Sequence, residues 1–259
     1  MRVLGQQIAP MYLWTIALLL VVIATASYVS GSFPAPLSLA VLAAALIDVF
    51  IDKFYLKRQL RIPVSGIISG LIIGSVAPIN APLLLVLFAV IFALFSKHFI
   101  RTKHGNILNP SAFGLLIALF LFSVGDDWWA AANFNVYGLA LTLTPILVIA
   151  AYKARRLTTS ASFIAVSLVA DIAFLHSAMS LQGLLAAALG INFFFAFVMA
   201  AEPKTSPHPW KLQALYGGGI AIVYLLLANY GIAYSLLIAL LAGNIAFLAY
   251  RMQRKTASL

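Results

Sequence analysis

The sequence predicts an all-α integral membrane protein of about ten transmembrane helices. Three observations predict it. Of the 259 residues, 64% are hydrophobic and 8% charged, outside the range of a soluble domain. Apolar runs recur from Met11 to Tyr250 and leave no hydrophilic block large enough to fold in water. The cations stand in short clusters between those runs.

The first run, 11–31, is long enough to cross a bilayer, and no small-residue cleavage site follows it. It reads as a retained helix, not a signal peptide. Further runs follow at 35–52, 63–78, 81–99, 110–124, 135–152, 160–178, 182–200, 211–229 and 232–250. Segments 63–78 and 110–124 are short, as broken helices of transporter-like folds are. Segment 63–78 carries Gly66, Gly70 and Gly74 at spacing four; Gly183, Ala187 and Gly190 do something similar in 182–200. Such small faces let helix backbones approach closely, which is a packing role and needs no function. At 110–124 the Asn-Pro pair marks a helix start: Asn109 can cap, and Pro110 suits the first turn.

With a cytoplasmic N-terminus, all 16 Lys and Arg residues fall on the cytoplasmic side. One outward turn is acidic, Asp126-Asp127, followed by Trp128-Trp129 at the interface, where an aromatic belt is expected. Both termini are therefore expected inside, in a multi-pass protein of the cell (inner) membrane. The net charge of +10 reports this topology; the expected surroundings are the lipid bilayer, and no nucleic-acid partner is expected. Ten helices divide into two five-helix halves, about 1–133 and 134–259, and an odd number per half inverts one against the other. The proline-rich turns "APINAP" and "EPKTSPHP" stand in corresponding places of the two halves. Inverted repeats place their functional site near the midplane, where the halves meet.

The chain has no cysteine, which excludes disulfides, thiolate-held iron–sulfur clusters and thioether-linked haem. His98, His104 and His208 belong to the inner edge and His176 to the outer, so no pair at matched depth suits a bis-histidine haem. Asp171 lies well inside segment 160–178. It reads as an ion or proton relay, or as a carboxylate hydrogen-bonded to Asn192, Asn244 or a serine. Asp48 and Asp52 are within reach of Lys53 and Arg58, so local pairing or snorkelling explains them. Glu202 can bind a cation or pair with Lys204 or Lys211. Lys204, Thr205 and Ser206 form a cationic, hydroxyl-rich turn of the kind that receives phosphate, or an ordinary basic loop.

Four stretches, in order, resemble a known family: "KRQLRIPVSGIISGLIIG", "HGNILNPSAFG", "VMAAEPKTSP" and "YGIAYSLLIALLAGN". Together they are similar to the NqrB/RnfD family, whose members are RnfD of the Rnf electron-transport complex and NqrB of the sodium-pumping NADH:quinone oxidoreductase. "EPKTSPHPWKLQALYGG" is closer still to a branch that fuses this membrane module to a ferredoxin-reductase-like domain carrying FAD and a nicotinamide site. The resemblance spans Leu37 to Arg251. It implies a ten-helix, urea-transporter-like fold that holds flavin (FMN or riboflavin) and passes electrons through the membrane; Asp171, by its place inside a helix, is the candidate for coupling to Na+ or H+. It places the flavin among Asn106, Asn109, Pro110, Phe113, Gly114, Glu202, Lys204, Thr205 and Ser206, with no catalytic residue and no metal ligand. The "NFFFAF" run from Asn192 to Phe197 can stack on the flavin ring or simply fill a helix interface.

Two departures from the family shape the expectation. RnfD and NqrB join FMN through a Ser-Gly-Ala-Thr motif in an outward loop; here that loop is "GDDWWAAAN", so any flavin should be non-covalent. The chain runs only to Leu259, without the fused reductase, so the donor is expected on a separate FAD/NAD(P)H or iron–sulfur polypeptide. The alternatives are a small-solute transporter or channel of the same fold, and a membrane anchor for a reductase.

Overall fold

A computed structural model describes residues 2–3, 6–7, 10–59, 61–102, 105–131, 137–175, 182, 185 and 190–256. Most of the described chain is helical. Four stretches are long and apolar enough to cross a membrane: Pro10–Ser30, Ala35–Tyr55, Trp210–Asn229 and Ser235–Arg254. Several shorter apolar helices accompany them. The chain is a membrane protein on these grounds. His104, His176 and, within segment 182–200, residues 183–184 and 186–189 (Gly183 and Ala187 among them) lie outside the described residues.

The helices are α1 (Pro10–Ser30), α2 (Ala35–Phe50), α3 (Val64–Val76), α4 (Leu83–Phe99), α5 (Pro110–Phe122), α6 (Tyr137–Lys153), α7 (Leu157–Leu175), α8 (Trp210–Asn229) and α9 (Ser235–Thr256). α2 runs on into a π-helical turn, Ile51–Tyr55, and a second π-helical turn spans Phe195–Met199. The all-α expectation misses two minimal antiparallel strand pairs. β1 (Arg2–Val3) pairs with β2 (Gln6–Gln7), and β3 (Arg101–Thr102) pairs with β4 (Gly105–Asn106).

The chain divides into two compact units, Met1–Ile100 with Pro110–Asn133, and Arg101–Asn109 with Phe134–Leu259. In the first, α3 packs on α1, α2, α4 and α5. Its glycines face α2: a Cβ on Gly70 would stand 2.6 Å from the Ala40 carbonyl oxygen, and one on Gly74 would stand 2.8 Å from the Leu37 Cα. Gly114 serves α5 the same way against Ala89 and Ala93 of α4. These contacts need the missing side chain.

The tryptophan pair departs from the aromatic-belt expectation. Trp128 and Trp129 are buried, because the 127–130 turn folds over the end of α3. The N–H groups of Asp127 and Trp128 donate to the Val76 carbonyl at 3.3 and 3.1 Å, and that of Ala130 donates to Ser75 at 3.3 Å. The Trp129 indole N–H donates to the Gly74 carbonyl at 2.6 Å. These are carbonyls that a helix end leaves without partners, and satisfying them outweighs placing the rings in lipid.

In the second unit α7 packs tightly on α8, and α8 on α9. Gly217 of α8 lies against the Thr159 carbonyl and the Ser162 hydroxyl of α7. The Phe195–Met199 turn packs on α6 and α7. There the phenylalanines fill the interior: Phe194 and Phe195 are buried, and the Phe195 ring lies 5.1 Å from that of Phe163. The packing reading of the aromatic run accounts for these two rings.

Candidate functional site

Within the second unit, two stretches about ninety residues apart in sequence are folded onto each other. Gly105 sits in the β3–β4 hairpin at φ +132, a conformation open to glycine, and its Cβ position would be 3.5 Å from the Lys204 carbonyl oxygen. Asn109, buried, donates from Nδ2 to the Met199 carbonyl at 3.3 Å. Its backbone N–H donates to Asn244 Oδ1 at 2.7 Å, and Asn244 Nδ2 donates in turn to the Tyr216 hydroxyl. Asn109, just before α5, ties the segment after the hairpin to α9 and to the end of the π-helical turn.

The 202–206 turn is held from within. Ser206 Oγ donates to the Glu202 carbonyl at 2.6 Å, and Thr205 Oγ1 donates to Glu202 Oε2 at 3.1 Å. Arg156, buried at the start of α7, donates from Nε to Ser206 Oγ at 2.8 Å and from Nη2 to the Pro203 carbonyl at 3.1 Å. Burial pulls its guanidinium below the usual arginine value. Gln213 Nε2 closes the arrangement, donating to the carbonyls of Arg155 at 2.8 Å and His208 at 2.7 Å. Thr205 and Ser206 are therefore spent on the turn, while Lys204 is exposed and Glu202 half-buried.

A second polar place surrounds Asp171. Ser167 and Asp171 stand one turn apart on α7, about 15 and 21 Å along the helix from its start. With Gly190, Ile191, Asn192 and Tyr224 they line a small cavity of about 30 Å³. Ser167 Oγ is buried with no hydrogen-bond partner among the described residues. The backbone is irregular at Ile191 and Asn192, and Asn192 Oδ1 accepts the Phe195 N–H at 2.8 Å to start the next helical stretch. Irregular backbone at membrane depth is tolerated where it lines a polar cavity. Asn192 lines the same cavity as Asp171, and Asn244 belongs to the Asn109–Tyr216 chain.

The first unit holds a cluster that local sequence reading misassigns. Asp52 pairs with Arg58 at 2.9 Å, as its spacing allows. Asp48 does not use the nearby Lys53 or Arg58. It is buried between α2, α3 and α4, with Lys97 Nζ 2.7 Å from both carboxylate oxygens and His98 Nε2 2.7 Å from Oδ1. The partners are 49 and 50 residues away, beyond any local pattern.

Of the predicted site residues, Asn106, Asn109, Glu202, Lys204, Thr205 and Ser206 belong to the second unit. Pro110, Phe113 and Gly114 belong to the first unit; Pro110 opens α5, Gly114 packs on α4, and Phe113 is half-buried. In the sequence Arg156 signals only topology, and Gln213 and Tyr216 carry no signal at all. Among the described residues no group of three His, Cys, Asp or Glu side chains could hold a metal. No family model matches the chain, and no curated protein matches it.

Proposed function

We propose that the chain is the membrane component of an electron-transport complex, of the kind represented by RnfD of the Rnf complex and NqrB of the sodium-pumping NADH:quinone oxidoreductase. It holds a flavin, FMN or riboflavin, without a covalent bond, and passes electrons through the bilayer of the inner membrane. The fold that goes with this reading is the ten-helix, inverted-repeat, urea-transporter-like one, with both termini cytoplasmic. The observation that carries the reading is the meeting of two motif stretches: Gly105 of the hairpin lies against Lys204, Asn109 beyond it bonds to Met199, and each stretch belongs to the family resemblance.

The donor set fits a flavin in part. Lys204, exposed on the turn, suits a flavin carbonyl or phosphate, and Asn106 and Glu202 belong to the same unit. Thr205, Ser206 and Asn109 support the loop that presents these groups. When bound, the flavin supplies the redox chemistry. The chain's part is to position it, to place a cation where negative charge develops, and to keep the loop rigid through Arg156. Asp171, with Ser167 and Asn192, is the candidate for Na+ or H+ coupling. Electrons come from a separate FAD/NAD(P)H or iron–sulfur reductase.

The test is an absorbance spectrum of the purified full chain. Flavin in near-stoichiometric amount, released on denaturation, is expected, and Lys204→Ala should lower its occupancy or shift its potential without lowering the melting temperature. A colourless protein that takes up solute in vesicles would favour the small-solute transporter; a colourless one that only recruits a reductase would favour the anchor.

A further inference from the structure

α8 and α9 are joined by a short turn at 230–234, so the start of α8 and the end of α9 lie at one end of the pair. Between them runs an apolar groove of about 420 Å³. Its walls come from positions three and four apart on each helix: Leu212, Leu215, Gly219 and Val223 on α8, Ala239, Ala242 and Ala246 on α9. Leu212 to Val223 spans about 16 Å, as does Ala239 to Tyr250, which is about half of a ~30 Å hydrocarbon core and so one leaflet deep. The groove is open at Gly219, where an added Cβ would meet nothing within 4 Å.

One end of this groove is charged. Phe247 and Tyr250 line it, and each carries an arginine on its ring: Arg251 lies 5.6 Å from the Phe247 centroid and Arg254 5.8 Å from that of Tyr250. Neither arginine is in an ion pair with a carboxylate among the described residues. An apolar trough one leaflet long, ending at two cations held on aromatic faces, is complementary to one chemistry: an acyl chain with an anionic head.

We infer that the α8–α9 groove is a binding site for an anionic phospholipid, with the acyl chain along Gly219 and Ala242 and the phosphate at Arg251 and Arg254. This stands apart from the flavin reading and holds whether or not a flavin is bound. Two cations near a headgroup give a preference for anionic over zwitterionic lipid on the order of ten- to thirty-fold.

Native mass spectrometry of the purified full chain, with phosphatidylglycerol and phosphatidylcholine added in equal amounts, tests this. The expected result is one retained phosphatidylglycerol per chain at that preference, undisplaced by excess glycerol 3-phosphate. Arg251→Gln/Arg254→Gln should bring the two lipids to near parity. Gly219→Leu, whose Cβ would meet nothing within 4 Å and whose side chain would occupy the groove, should remove the retained lipid of either kind. If the double variant does not fold, Gly219→Leu decides alone. The inference is overturned if wild type shows no headgroup preference, or if glycerol 3-phosphate alone displaces the lipid. It is also overturned if Gly219→Leu keeps its lipid, or if the groove proves to hold a second copy of the chain, seen as a dimer that Gly219→Leu dissociates.

Discussion

Replacing Asp48 by Asn tests whether the buried cluster of the first unit is held by charge. The side chains of Asp48 and Lys97 are 4% and 11% exposed, so their attraction is little screened. Removing one partner of a buried pair costs about 3–5 kcal/mol, because the other charge stays behind unpaired. Asn keeps one acceptor oxygen, and Lys97 sits in the last turn of α4, where it can reach outward. Both effects put the expected loss at the low end, about 3 kcal/mol. For a chain of this size that lowers the melting temperature by roughly 6–12 °C. Thermal melting in detergent, followed by tryptophan fluorescence or by retention on a sizing column, measures it.

The control is Asp52→Asn, whose pair with Arg58 is 27% and 45% exposed and should be worth no more than about 1 kcal/mol. The double variant Asp48→Asn/Lys97→Met should regain much of the loss, since it no longer strands the lysine charge. An Asp48→Asn protein that melts no lower than Asp52→Asn refutes the reasoning, and the cluster is then held by helix packing alone.

In the second unit, Asn244→Leu removes the acceptor of the Asn109 N–H and a donor to the Tyr216 hydroxyl, a loss of about 2 kcal/mol that the same melting assay reads. Gly114→Ala should cost about 1–3 kcal/mol, because its Cβ meets the Ala89 carbonyl and Ala93, while Gly219→Ala, with open space around it, should be neutral or stabilising by up to about 1 kcal/mol. Equal melting of the two alanine variants would show that close approach is not what Gly114 provides. Reporter fusions at Asp127 and Leu259 should give opposite sidedness; the same side for both would end the ten-helix topology.

What is legible in the sequence follows how far its signals reach. The long spans are readable because an apolar run against a polar flank is a local signal: 11–31 and 211–229 correspond to Pro10–Ser30 and Trp210–Asn229 within a residue or so. The π-helical turn after Phe50 leaves no mark, since its residues suit an α-helix equally well. Partners within one or two turns, such as Asp52 and Arg58, are readable too. Asp48 with Lys97, and Asn109 with Asn244 at a separation of 135 residues, are not, because tertiary packing alone selects them. For the same reason the motif residues play unequal parts. Thr205 and Ser206 have the chemistry of a phosphate site, yet their hydroxyls satisfy the turn that carries Lys204.

The evenly spaced glycines of α3 show why spacing by itself does not assign a role. Gly70 and Gly74 face α2 where only the backbone of Ala40 and Val41 and the apolar Leu37 come near, and there they do no more than let two helices approach. Gly66 has the same spacing and a different neighbour: its Cβ position is 2.7 Å from Asp48 Oδ2 and 2.8 Å from Asp48 Cβ. At that position the missing side chain makes room for a buried carboxylate, and through it for Lys97 and His98. A methyl at Gly70 would push two backbones apart. One at Gly66 would press on the Ala44 carbonyl and also on an ion cluster whose geometry must be good to offset its own desolvation. The stripe that reads as one packing motif is therefore two things, a helix seam and the floor of a charged site, and only the contact across it tells them apart.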